Sequence, residues 1–164
     1  MRLFVVPANR RKAFSDSLLR DLSSKTGAKF SRTPEGDLSI DGEGGSEWFA
    51  EQVLTALVLG FDYKKSLKML NDEYFLEVID LNQALWRKKN RIEQMKGRII
   101  GTEGKAKATL EYLSECWISV LDDKVALLGR YGNLKNAKEG VLKLLEGKTH
   151  GTVYAFLEKK KAEK

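Results

Sequence analysis

Gly101 and Gly104 stand three residues apart in the run Ile99-Ile100-Gly101-Thr102-Glu103-Gly104-Lys105, between two stretches of helical periodicity. Glycine costs roughly 1 kcal/mol against alanine inside a helix. A pair of them at a helix junction therefore marks a backbone that turns sharply or lets another chain approach closely. The helix that follows opens with free N–H groups and the positive end of its dipole. Lys105 and Lys107 add charge there, and Lys96 and Arg98 add it on the preceding helix. This chemistry suits a phosphodiester backbone. Ile99 and Ile100 are expected to form an apolar wall for unstacked bases. The expected contact set is Gly101, Thr102, Glu103, Gly104, Lys105, Ile99, Ile100, Lys96, Arg98 and Lys107.

Other chemistries fit poorly. A nucleotidase-type phosphate loop needs four residues between its glycines and a Ser or Thr after the lysine; here there are two, and Ala106 follows Lys105. A dinucleotide fingerprint lacks its Gly-x-Gly. Cys116 and His150 are the only residues of their types, so neither a disulfide, a zinc cluster nor a His-based triad can be assembled. No catalytic residue, metal or cofactor is expected. Asp122-Asp123 reads as a solvated turn. The single thiol and the absence of a signal peptide or an apolar span point to a reduced, cytoplasmic protein with no membrane role.

The charge is concentrated. Residues 1–60 hold 8 basic and 8 acidic residues, while Arg87–Lys107 holds 8 basic and 2 acidic, matching the net +6 of the whole chain. Such a cluster is the footprint of a polyanionic partner.

The elements around the loop repeat at an offset of 87 residues, with one residue of slip upstream. Leu38 falls on Val125, Ile40 on Leu127, Gly42 on Gly129, Ala50 on Ala137 and Leu57 on Leu144; with the slip, Leu22 falls on Leu110 and Phe30 on Ile118. Each copy reads β-α-α-β-β-α. The strands expected are Arg2–Val6 and Phe75–Leu81, then hairpins Ala28–Arg32 with Asp37–Asp41 and Trp117–Leu121 with Lys124–Gly129. Gly27 ends a helix in copy one. Ser46 and Asn133 are expected to cap the closing helices. A further helix, Val153–Lys161, follows a Thr149 cap, with a solvated tail from Lys159 to Lys164. The expected division is 1–60, a linker helix over 61–73, and 74–164. Copy one has no glycine before Gly27 and reads Ala8-Asn9-Arg10-Arg11-Lys12-Ala13-Phe14 where copy two has its loop. It is read as a structural, protein-docking copy, with Arg10, Arg11 and Lys12 at most brushing phosphate. Trp48 and Trp117 sit at core-like positions. Trp86, beside Arg87-Lys88-Lys89 on an extension of the helix, is the stacking candidate. Cys116 is expected to be buried and His150 structural.

A Gly-x-x-Gly loop between two helices, before a hairpin and a closing helix, resembles the type I KH domain, which clamps about four single-stranded nucleotides. The fold expected is α+β: two tandem type I KH (βααββα) domains, the first degenerate, with an extra C-terminal helix. Met95 to Lys105, Glu77-Val78-Ile79-Asp80-Leu81, Leu145-Glu146-Gly147 and His150-Gly151-Thr152-Val153-Tyr154 resemble the archaeal "partner of Nob" (Dim/Krr-like) proteins, two-KH ribosome assembly factors. The resemblance implies a non-catalytic binder of single-stranded RNA, at the 3′ region of small-subunit 16S rRNA or its precursor. It also implies cooperation with the nuclease that matures that end, and contact with a translation initiation factor. In this family a basic residue is common where Thr102 stands. The competing reading is a protein-interaction scaffold with little RNA binding.

Overall fold

The computed structural model describes residues 1–86 and 89–164. They form two compact units, Met1–Asp72 and Glu73–Lys164. The first runs β1 (Arg2–Phe4), a 3-10 helix (Ala8–Ala13), α1 (Asp16–Thr26), β2 (Lys29–Arg32), β3 (Leu38–Asp41), α2 (Ser46–Val58), α3 (Tyr63–Ser66) and a 3-10 turn (Leu67–Leu70). The second runs β4 (Tyr74–Asp80), α4 (Leu81–Ala84), α5 (Lys89–Ile100), a 3-10 turn (Thr102–Gly104), α6 (Lys105–Ser114), β5 (Trp117–Leu121), β6 (Lys124–Arg130), α7 (Tyr131–Leu145) and α8 (His150–Ala162). Each unit has one antiparallel three-stranded sheet, ordered β1-β3-β2 and β4-β6-β5. The two orders are the same, so the repeat seen in the sequence is a repeat of topology.

Local chemistry sets the elements. Ser15 caps α1, its hydroxyl accepting from the Leu18 N–H at 3.1 Å, and Gly27 ends it at φ +82°. Leu19 and Leu22 form its buried face. The β2–β3 hairpin closes on Thr33 and Gly36, and Phe30 faces Ile40 in its register. Strand β1 stops early because the Val6 N–H leaves the ladder for the Asp37 carboxylate, 2.9 Å away. Residues 61–70, part of the expected linker helix 61–73, pack on the first unit, where Phe61, Ser66 and Met69 are buried.

The core of the second unit joins Ile79, Met95, Ile99, Leu110, Ile118, Leu127, Val141, Leu144, Val153 and Leu157. Each such side chain contributes about 1.5–3 kcal/mol on full burial. Helix α8 is built into this core, and Leu157 lies against Gly140, where a Cβ would come within 3.3 Å of it. Cys116 is buried as expected, its sulfur filling the place of a Gly129 side chain.

Several sequence expectations need correction. The cap of α2 is Gly45, and the Ser46 hydroxyl donates instead to the Glu43 carbonyl at 2.7 Å. Helix α7 begins two residues before Asn133, whose side chain accepts from Lys164. Trp48 is half exposed, because it lies off the Ala50, Val53, Leu54, Leu57 stripe. Trp86 is outside any helix, at φ +56°, and Arg87 and Lys88 beside it lie outside the described residues. The basic tail is not loose: Lys161 sits 4.1 Å over the Tyr112 ring and Lys164 pairs with Glu115 at 2.7 Å. Thr149 does cap α8, accepting from the Thr152 N–H.

Candidate nucleic-acid interface

The loop between α5 and α6 is built on two glycines held for different reasons. The Gly101 N–H closes the last turn of α5 on the Gly97 carbonyl at 2.8 Å. Gly101 then takes φ +76°. A Cβ there would come within 2.6 Å of the Ala106 side chain and 2.8 Å of its backbone nitrogen, so the fold itself requires glycine. Gly104, at φ +74°, faces open space, and a Cβ there would meet nothing within 4 Å. Glu103 between them adopts φ +56°, ψ +25°. That left-handed conformation costs about 1–2 kcal/mol for a residue with a side chain.

Thr102 and Glu103 are exposed at the tip. No side chain caps the start of α6, and its first turn carries no acid. The Lys105 N–H donates to the Thr102 carbonyl, and the Lys105 side chain is exposed at the positive end of the helix dipole. This is an anion-attracting surface assembled from backbone and dipole, with charge added by lysine.

The other expected contacts divide. Ile100 is partly exposed, but Ile99 is fully buried in the core and cannot form a wall for bases, because it continues the Ile92–Met95 stripe of α5. Lys96 lies 3.7 Å from Glu93, and Lys107 lies 3.7 Å from Glu111. Arg98 is committed internally: its guanidinium donates to the Leu144 carbonyl at 3.2 Å and the Lys148 carbonyl at 2.8 Å. The His150 Nε2 in turn lies 2.8 Å from the Arg98 carbonyl. A carbonyl only accepts, so Nε2 carries the proton. These bonds fix the end of α5 to the α7–α8 junction and thereby place the loop.

In the first unit the 3-10 helix Ala8–Ala13 stands where the loop-bearing helix stands in the second. Arg10 and Arg11 are not free for phosphate. Arg10 donates to the Leu57 carbonyl at 2.6 Å and Arg11 to the Glu35 carbonyl at 2.8 Å. The first unit also holds a feature that sequence reasoning missed: an open cleft of about 540 Å³ between α1 and β2, lined by Asp16, Leu19, Arg20, Ser23 and Lys29 to Arg32. The alternation of Lys29 and Ser31 on an edge strand was its one signal in the sequence. Trp117 is partly buried, stacked on Tyr74 with ring centroids 6.3 Å apart. Burial pushes the Cys116 thiol up to about 12, so it is no nucleophile.

Known proteins share this arrangement. Residues 75–162 match the family model of the second KH domain of PNO1 proteins, described as a eukaryotic-type KH domain (KH-domain type I). The KH domain-containing protein MJ0443 of Methanocaldococcus jannaschii is 33% identical over 147 residues, covering 87% of this chain and 64% of that protein. The pre-rRNA-processing protein pno1 of Schizosaccharomyces pombe is 31% identical over 103 residues, 62% of this chain and 43% of that one. The chain thus spans less than two thirds of the length of these relatives, 64% of the first and 43% of the second. A solved structure, the a/eIF2alpha-aDim2p-rRNA complex from Pyrococcus horikoshii, superposes with a TM-score of 0.88 at 26% identity, covering 99% of this chain and 94% of that chain. By its loop, its sheet order and the match of more than half its length, the chain belongs to the type I KH-domain family, with a second unit of the PNO1 type.

Proposed function

We propose that this chain is a non-catalytic, cytoplasmic binder of single-stranded RNA that acts in small-subunit ribosome assembly. Its RNA is the 3′ region of 16S rRNA or its precursor. The carrying observation is the exposed loop Gly101–Gly104 at the uncapped, acid-free start of α6. Relatives named for pre-rRNA processing, and a like-folded protein solved in complex with rRNA and an initiation-factor subunit, support the substrate class and the partners. On that reading the partners are the nuclease that trims the rRNA 3′ end and the alpha subunit of a translation initiation factor. The contact set is Gly101 to Lys105, Ile100, Lys96 and Lys107, with Arg98 acting through the loop's position.

The cleft between α1 and β2 favours a second RNA contact in the first unit over a purely docking role. It carries Arg20 and Lys29 and is open. The test is to replace Thr102 and Glu103 by aspartate together and titrate the full chain with single-stranded RNA of the 16S 3′ end. The expected result is loss of most affinity with an unchanged melting curve. Unaltered affinity would sink the assignment and favour a KH-fold scaffold.

A further inference from the structure

The glycine loop occupies one end of α5, and a segment with no counterpart in the first unit precedes the other end. In the first unit the chain passes from β1 to the 3-10 helix through residues 5–7, whereas residues 81–88 separate β4 from α5. This segment is anchored as far as Leu85. The Asp80 carboxylate accepts from the Asn82 N–H at 2.9 Å, the Leu81 N–H donates to the Asp123 carbonyl at 2.8 Å, and the Asn82 side chain reaches the Asp123 carboxylate. Leu81 and Leu85 are buried in the core. Trp86 follows at once in a left-handed conformation, φ +56°, and is 85% exposed. Such a backbone is rare for so bulky a residue. The start of α5 is basic: Lys89 and Arg91 are exposed, and the first turn holds no acid. With Asn90 and Gln94 they line an open depression of about 690 Å³.

We propose that Trp86 is a second RNA contact, a stacking platform for one unpaired base outside the stretch held at Gly101–Gly104, with Lys89 and Arg91 taking the adjoining phosphates. The inference rests on the RNA reading above and deepens it. Helix α5 has 12 residues, about 18 Å at 1.5 Å each. A nucleotide at Trp86 therefore belongs to a longer strand than the group at the loop. Every base has a π-face, so a flat indole near cations takes an unpaired base without regard to its identity. An apolar protein groove would gain nothing from Lys89 and Arg91 and would have to desolvate them. A nucleotide uses both features, the ring for its base and the charges for its phosphates. The contact thus adds affinity for longer RNA and no choice of base.

The experiment titrates the full chain with single-stranded RNA of the 16S 3′ end, long enough to pass both ends of α5. It reads the anisotropy of a label on the RNA and, separately, the protein's own tryptophan fluorescence. Trp86→Ala should weaken binding roughly tenfold, within the range for one stacked base, with an unchanged melting midpoint. Trp86→Phe keeps an aromatic face and should recover most of that loss. Neither should alter the salt dependence, which Lys89→Ala with Arg91→Ala should reduce. RNA should quench the wild-type tryptophan signal, and Trp86→Phe should abolish the quenching although Trp48 and Trp117 remain. Full affinity in Trp86→Ala would overturn the platform, leaving RNA binding at the loop standing and the indole to a protein partner. Tight binding with no change in wild-type fluorescence would overturn it too, and needs no variant that folds. A wild type that binds no RNA overturns the RNA reading and this inference together.

Discussion

Arg10 donates to the carbonyl of Leu57, in the last turn of α2, at 2.6 Å. Its counterpart in the second unit, Arg98, donates to Leu144, in the last turn of α7, at 3.2 Å. Leu144 is Leu57 shifted by 87 residues, and Arg98 is Arg10 shifted by the same offset with its one-residue slip. Two units that differ in the intervening loop keep the same link from an arginine to the closing helix. A helix C-terminus leaves carbonyls without partners, and an arginine satisfies them with a charged donor. The glycine loop is thus an elaboration on a frame that both units share.

Replacing Arg98 by alanine should destabilise the protein by about 1.5–3 kcal/mol, the range for hydrogen bonds to a charged group. Arg10→Ala should cost about as much, since its carbonyl partner is equally deep in a helix end. Urea denaturation of each variant checks this. Losses within error of zero would show that the linked carbonyls are served as well by water.

The two glycines of the loop should respond differently to alanine. Gly101→Ala forces a Cβ to 2.6 Å from the Ala106 side chain, in a left-handed conformation. It should lower stability well beyond the roughly 1 kcal/mol of backbone strain alone. Gly104→Ala meets nothing, so only that strain applies to the fold, while the added methyl stands where a phosphate would approach. Thermal melts paired with RNA titrations separate the cases: Gly104→Ala folded but weak in binding, Gly101→Ala impaired in both.

The sequence made the repeat, the sheet-forming hairpins and the loop legible, because each depends on local pattern. Period and glycine placement give α5, the turn and α6. Ile99 was misread although its pattern was present: Ile92, Met95 and Ile99 form one stripe, which puts Ile100 and not Ile99 toward solvent. Arg98 was illegible. Its charge reads as a phosphate contact, and only the fold brings it to carbonyls 46 and 50 residues away. The bond from the Ile118 N–H to Glu111 was hidden for the same reason, since it joins a side chain to the backbone of the next strand. Long-range partners of polar side chains leave no period in the chain.

An acid-dependent contact lies in the first unit. The Tyr63 hydroxyl donates to Asp21 Oδ2 at 2.6 Å, and Lys25 approaches the same carboxylate at 3.0 Å. The Tyr63 hydrogen bond first, then that of Lys25, holds the Asp21 carboxyl below its usual range. Burial and Asp21 push the Tyr63 phenol up. A carboxyl whose pKa is depressed in the folded state adds stability above its unfolded value and loses it as pH falls through the folded value. Tyr63→Phe should therefore be less stable than wild type at neutral pH, and the gap should close below about pH 4. Denaturation curves across that range decide it, and a gap indifferent to acid counts against the contact.

Charge and positioning around the loop separate by salt. Single-strand binding weakens with salt by a slope of about 0.7 in log K per log salt for each phosphate neutralised. Lys105 is exposed beside the start of α6. Lys105→Ala should lower the slope by nearly one such step. Lys107 is shared with Glu111 and should give less. Arg98 spends its guanidinium on two carbonyls, so Arg98→Ala should weaken RNA binding by loosening the loop and leave the slope unchanged. Affinities measured over a series of salt concentrations test all three. An Arg98→Ala slope reduced as much as that of Lys105→Ala would mean that the arginine leaves its carbonyls when RNA arrives, and that its bond to Leu144 belongs to the free protein alone.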